Sequence, residues 1–201
     1  MIKGVYFDLD GIYFNRGMED FIVWLSETYF IPKHTVEAVF KRSKEAHDYK
    51  AGVIPSHSFY DYANKIFGFQ IPEREYVLEM AAKFSLNQAA YELSVRLKKA
   101  GIKTLLCANI FEDLLVYLNH SYRLLENFDV KIFSFNVHVL KPDILMYEAL
   151  LEESKLAANQ ILYVDDDNKS CINARKLGFI SHCSDQVEVI ERLLHQENIV
   201  Y

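Results

Sequence analysis

From Asn87 onward the chain alternates short apolar runs with amphipathic stretches, and this alternation restricts its possible folds more than any other feature. Gln88–Ala100 has helical spacing and stops at Gly101, a C-terminal signal. Lys103–Ala108 (KTLLCA) reads as a strand, Glu112–Asn119 as a helix, Val130–Phe135 as a strand and Pro142–Ser154 as a helix. Gln160–Val164 is a strand ending in acids, and Lys169–Leu177 is a helix closed by Gly178. Phe179–Cys183 is a strand and Gln186–His195 a last helix. A buried strand, Lys3–Leu9, opens the chain. Strand–helix alternation predicts an α/β fold: a doubly wound, parallel, Rossmann-like sheet with helices on both faces.

One region interrupts the alternation. Between residues 15 and 86 no strand is legible, and helical spacing dominates over Met18–Phe30, Thr35–His47, Ser56–Phe67 and Glu73–Phe84. Ser56 suits a helix cap. We read 15–86 as a helical cap domain inserted after the first strand of an α/β core formed by 1–14 and 87–201. Its aromatics, among them Phe21, Trp24, Phe40, Tyr49 and Phe59, are expected mostly to fill its own interior.

In an open α/β sheet, ligands bind beyond the carboxyl ends of the strands. Asp8, Leu9, Asp10 and Gly11 follow the first strand, Ala108 and Asn109 end the second, and Asp165, Asp166 and Asp167 follow Gln160–Val164. Lys141 opens the helix after Val130–Phe135. Several carboxylates on one edge repel one another and are costly to desolvate. A hard divalent cation resolves this, since Mg²⁺ takes oxygen ligands from a few carboxylates and a substrate phosphate. Each piece also has a plain alternative: an exposed turn for the DxD, a helix cap for the acid triplet, and a helix start for Lys141-Pro142.

The 28 acidic and 22 basic residues leave a net charge of -6, which argues against general nucleic-acid binding. Cys107, Cys171 and Cys183 lack a CxxC spacing and read as reduced core thiols. No run approaches the roughly 20 apolar residues of a membrane span. Acids appear at once after the N-terminus, unlike a signal peptide, so a cytoplasmic location is expected. The 7 histidines show no paired-ligand spacing, so no zinc site is expected.

Taken in order, these segments resemble the haloacid dehalogenase (HAD) superfamily of aspartate-nucleophile hydrolases, subfamily I with a helical cap. FDLDG (Phe7–Gly11) resembles the family's first motif, KTLLCAN (Lys103–Asn109) the second, LKPD (Leu140–Asp143) the third, and YVDDDNKSCINARKLG (Tyr163–Gly178) the fourth. The ordering and the segment Tyr49–Gly68 look most like the sugar-phosphate, glucose-1-phosphate phosphatase-like branch.

The resemblance implies a Mg²⁺-dependent phosphatase of a small phosphorylated metabolite, such as a sugar phosphate. Asp8 would be the nucleophile, Asp10 the general acid and base, and Lys141 the cation that offsets charge on Asp8 and the phosphoryl oxygens. Mg²⁺ would be held by Asp8, Asp10 through its backbone carbonyl, and Asp165 or Asp166. Asn109 would help position the phosphate or a cap residue. Arg16 and Lys50 are candidate substrate contacts, and Tyr13, Phe14 and Asn15 are expected near the gap between cap and core. Ala108 departs from the family, which normally places a Ser or Thr hydroxyl there; shifting the alignment puts Cys107 at that position. The rival readings are a phosphate-ligand binding or interaction protein on a HAD scaffold and a 2-haloacid dehalogenase, the latter opposed by Asp10. The implied partner is a small phosphate ester; no nucleic acid or membrane is implied, and oligomeric state is not legible.

Overall fold

The computed structural model describes residues 1–201. Five strands form one all-parallel sheet: β1 (Gly4–Phe7), β2 (Lys103–Ala108), β3 (Val130–Phe133), β4 (Ile161–Asp165) and β5 (Ile180–Cys183). Their spatial order is β3-β2-β1-β4-β5. The chain therefore builds outward from β1 on one side, then returns to build the other. The reversal falls between β1 and β4, where a doubly wound sheet opens a crevice at its carboxyl edge. Phe7 is in register with Leu106 and with Val164. That register sets Asp8 level with the ends of both neighbours.

Six helices lie between β1 and β2: α1 (Gly17–Tyr29), α2 (Lys33–Glu37), α3 (Lys44–Lys50), α4 (Ser56–Phe67), α5 (Glu73–Lys83) and α6 (Gln88–Lys99). Five follow: α7 (Glu112–Tyr122), α8 (Ser134–Val137), α9 (Ile144–Ser154), α10 (Asn168–Lys176) and α11 (Val187–Gln196). Strand residues alternate between the two sheet faces. Val5, Phe7, Leu106, Leu162 and Val164 pack with α6, α7 and α11. Tyr6, Leu105, Cys107, Ile161 and Tyr163 pack with α9 and α10. No strand lies among the inserted helices, in line with the sequence. Their interior is continuous with the first of these cores: Phe21, Phe40 and Phe59 belong to the same buried cluster as Phe7 and Leu106. No helix is long and apolar enough to cross a membrane.

Several boundaries depart from the sequence reading, each for a local reason. The helix expected over Thr35–His47 is broken: a wide π turn runs over Ala38–Arg42, and Ser43 leaves helical geometry to cap α3 by accepting the Ala46 N–H. Ser56 is the first residue of α4 rather than a side-chain cap. The third strand stops at Phe133, because Ser134 turns in to bond the loop after β2. The helix expected from Pro142 begins at Ile144, capped by the Asp143 carboxylate. Cys107 and Cys171 are buried as expected, but Cys183 is exposed at the end of the edge strand β5.

Candidate active site

At the carboxyl edge of β1 the chain leaves the sheet through a tight hairpin-like turn. The Asp8 carbonyl accepts the Tyr13 N–H (3.1 Å) and the Leu9 carbonyl accepts the Phe14 N–H (2.8 Å). Gly11 sits at φ +109°, and a Cβ there would lie 3.2 Å from Asp166 Oδ2. This turn requires glycine twice over: for its backbone and for the carboxylate beside it. It also folds Tyr13 and Phe14 into the core, so neither lines a gap between the inserted helices and the sheet. Asn15 bonds Ser85 instead.

Lys141 is the electrostatic centre of the edge. Its ammonium donates to Asp8 Oδ1 at 2.6 Å, to Asp165 Oδ2 at 2.9 Å and to the Tyr6 hydroxyl at 2.5 Å, with its side chain 6% exposed. The loop carrying it is clamped by Asn109. That amide accepts the Lys141 N–H at 2.8 Å and donates to the Lys141 carbonyl at 2.9 Å. Asn109 therefore positions the lysine loop, where the sequence pointed to the phosphate or a cap residue.

Two tyrosines complete the floor, and sequence reasoning passed over both. Tyr6 and Tyr163 are neighbours in register on β1 and β4, and their rings stack at 4.0 Å. Tyr163 donates to Asp165 Oδ2 at 2.9 Å. The Tyr6 hydroxyl has one proton and three acceptors in reach: Asp8 Oδ1 (3.1 Å), Asp165 Oδ2 (2.9 Å) and the Cys107 carbonyl (3.1 Å). The one available signal was a polar tip in a strand expected to be buried on both faces.

The acid triplet divides its labour. Asp167 caps α10 through the Lys169 and Ser170 N–H groups. Asp165, buried, has Oδ2 engaged by Lys141 and both tyrosines, and Oδ1 by the Asp167 N–H at 2.9 Å. Asp166 is partly exposed and lies 3.6 Å from Arg16. Oxygens of Asp8, Asp165 and Asp166 all fall within 4.8 Å of one another. An all-oxygen donor set of this kind suits a hard divalent cation.

Charge is unevenly tuned. Burial pushes the Asp8 carboxyl up to about 6, with Lys141 opposing and Asp165 adding to the rise. Burial and the charge of Asp8 push Asp10 up to about 7, although the Gly17 N–H donates to its Oδ1 at 2.9 Å. Burial works against the Asp165 charge, but Lys141 outweighs it and holds that carboxyl below its ordinary value. The same ion pairs hold Lys141 well above its ordinary value against its burial.

These groups line a cleft of about 510 Å³ between the sheet edge and the inserted helices. Asp8, Asp10, Ala108, Asn109, Lys141, Asp165 and Asp166 all face it. So do Lys41 and Lys50 from the inserted segment. Arg16 does not line the cleft: it is exposed at the rim, bonded to Asp185 at 3.0 Å.

The architecture has counterparts among solved structures. A HAD family enzyme from Bacteroides thetaiotaomicron, solved with magnesium and inorganic phosphate, superposes at a TM-score of 0.80 with 18% identity, over 94% of this chain and 99% of that one. A HAD-like family hydrolase from Porphyromonas gingivalis gives 0.80 with 19% identity, over 96% and 98%. This chain has the HAD fold. The L-2-haloacid dehalogenase of Xanthobacter autotrophicus, solved with chloropropionic acid covalently bound, shares that fold at 0.67 and 19% identity, over 100% of this chain and 85% of that one. Among curated proteins, mouse bifunctional epoxide hydrolase 2 is 26% identical over 200 residues, 87% of this chain. The chain spans about a third of that relative's length, 35%. No family model matches the chain. On the HAD fold, the Asp8 edge is the crevice where the sheet reverses direction.

Proposed function

We propose that this chain is a magnesium-dependent phosphohydrolase of small phosphorylated metabolites, working through a covalent phosphoryl–aspartate at Asp8. One observation carries the reading: two carboxylates two residues apart face one cleft, and their surroundings separate them. Asp8, at about 6 and bonded to Lys141, is an anion at neutral pH. Asp10, at about 7, still holds a proton in a large fraction of molecules. The unlike surroundings of the two acids, with the Lys141 ammonium bonded to Asp8 and only a backbone N–H bonded to Asp10, support Asp8 as nucleophile and Asp10 as general acid.

In this reading Asp8 Oδ2, free of hydrogen bonds, attacks phosphorus while Lys141 fixes Oδ1. Asp10 gives its proton to the departing alcohol oxygen, then takes one from the water that hydrolyses the acyl phosphate. Lys141 also meets charge on the phosphoryl oxygens, the main contribution a protein makes to this chemistry. Magnesium, held by Asp8, the Asp10 carbonyl and the acid pair, would neutralise phosphoryl charge and orient the ester. Between the two acids, Asp166 is the better direct ligand, because both Asp165 oxygens are already engaged. Segment 15–86 would act as a cap over the core of 1–14 and 87–201, excluding water and large substrates.

The neighbours support the reading through the magnesium and phosphate of the Bacteroides enzyme. Ala108 is the observation on the other side, since it offers no hydroxyl at the end of β2 and favours a phosphate-ligand binding role. A panel of phosphate esters, assayed with magnesium or EDTA on wild type and Asp8→Asn, decides between them. Magnesium-dependent turnover abolished by Asp8→Asn is expected. Undiminished turnover in Asp8→Asn, or phosphate binding without any turnover, would overturn the proposal. Release of halide from a 2-haloacid would instead favour a dehalogenase.

A further inference from the structure

We propose that Lys50, assisted by Lys41, forms a second anion subsite in the cleft, so that the ligand is a small phosphate ester bearing a further negative group, a carboxylate, away from phosphorus. The inference rests on the phosphohydrolase reading and names the substrate class of that site.

Lys50 is the last residue of α3 and lines the cleft from the inserted segment, where the Asp10 charge also acts on it. It pairs with no carboxylate. Its one acceptor is the Phe40 carbonyl at 3.3 Å, and it lies 4.8 Å from the centre of the Phe111 ring. Lys41, carried on the π turn, is the second cation of that wall and pairs outward with Glu19. π turns inside helices often mark functional positions. Two ammonium groups facing one cavity repel each other, and the partly buried Lys50 has no ion-pair partner to offset its desolvation. That cost is visible in Lys50 itself, which burial and Lys41 push down to about 8.

The placement is rigid rather than incidental. Ser134 Oγ, fully buried, donates to the Lys50 carbonyl at 2.6 Å and accepts the Ile110 N–H at 3.2 Å. Ile110 directly follows Asn109, which clamps Lys141. One short chain of bonds thus sets the distance between the Lys50 backbone and the Lys141 loop. The floor already has its own cation, since Lys141 engages Asp8 and Asp165. Lys141 is thus committed to the floor, and Lys50 is the cleft lysine with no ion-pair partner. The cleft, at about 510 Å³, holds a phosphate together with a short acidic tail.

The test is calorimetric binding, in magnesium buffer, of two phosphonates of equal chain length. One carries a terminal carboxylate and the other a terminal hydroxymethyl group. Wild type is expected to bind the carboxylate at least tenfold more tightly. Lys50→Met, with Lys50→Gln as a second variant, should reduce that preference to less than threefold, and Lys41→Met should reduce it partially. Equal affinities in wild type, or a preference that persists in both Lys50 variants, would overturn the subsite. The phosphohydrolase reading is scored separately, by turnover of the ester panel. Absent turnover with the binding preference intact sinks that reading alone, and brisk turnover without the preference sinks the subsite alone.

Discussion

Replacing Lys50 by Met removes a partly buried charge while keeping most of the side chain's volume, and the structure sets both the sign and the size of the effect. Burial, with Lys41 adding to it and Asp10 opposing, lowers the ammonium from 10.5 to about 8. At neutral pH the charged form therefore costs about 3 kcal/mol more than in water. Methionine gives up the bond to the Phe40 carbonyl and the contact with the Phe111 face, roughly 1 kcal/mol each. The variant should be about 1 kcal/mol more stable than wild type at pH 7. The advantage must also reverse with pH. The unfolded lysine keeps its proton to 10.5 and the folded one loses it near 8, so between these values the unfolded chain binds more protons and wild type gains stability. About 2 kcal/mol of the penalty is gone at pH 9.5, leaving the variant about 1 kcal/mol behind. The interactions of Lys50 with Lys41 and Asp10 are lost in the variant and are already contained in the shift to about 8, so they are not counted again. Parallel urea unfolding at pH 7 and pH 9.5 measures it. Destabilisation of equal size at both values would refute the claim that Lys50 is held as a costly, partly desolvated cation.

Lys141→Met should destabilise by about 3–5 kcal/mol, because it strands the Asp8 and Asp165 carboxylates in a buried site. Magnesium should then raise the melting temperature more in the variant than in wild type, as seen by thermal unfolding with and without EDTA. Tyr6→Phe removes a buried hydroxyl shared by Lys141, Asp8 and Asp165, so it should cost about 1–2 kcal/mol. Steady-state kinetics on the best ester should show the loss in kcat rather than KM; wild-type kcat would exclude a positioning role for this tyrosine. Ala108→Ser should raise turnover by about tenfold by restoring a donor near the phosphoryl group. It buries a hydroxyl in an apolar cluster at a cost of about 1 kcal/mol, and bound phosphate should recover part of that in a thermal-shift assay.

Asp8, Asp10, Lys141, Asp165 and Asp166 were legible as one edge because strands that run parallel all end on the same side of the sheet. Period and punctuation within each segment were enough to find those ends. The inserted helical region was legible for the same reason, as a stretch where the strand grammar stops. Boundaries that depend on side-chain capping were less so: Ser43 and Asp143 reset helix starts by bonds that propensity does not encode.

What stayed hidden involves partners far apart in the chain. Tyr6 looks like any core residue of a short strand until register places it beside Tyr163 and beneath Lys141, 135 positions away. Asn109 was read as positioning the phosphate or a cap residue; its amide also holds the Lys141 loop, because the packing of that loop over β2 brings the two together. Arg16 and Lys50 were equally plausible as ligand contacts from sequence. Tertiary structure separates them: Arg16 turns to Asp185 at the rim, while Ser134 draws the end of α3 down to the cleft. Sequence alone determined which residue types meet at the sheet edge, since strand ends follow from local periodicity. Which of their atoms touch, and which cations face them without a partner, was decided by register and helix packing, because those contacts join segments whose spacing along the chain carries no record of their distance in space.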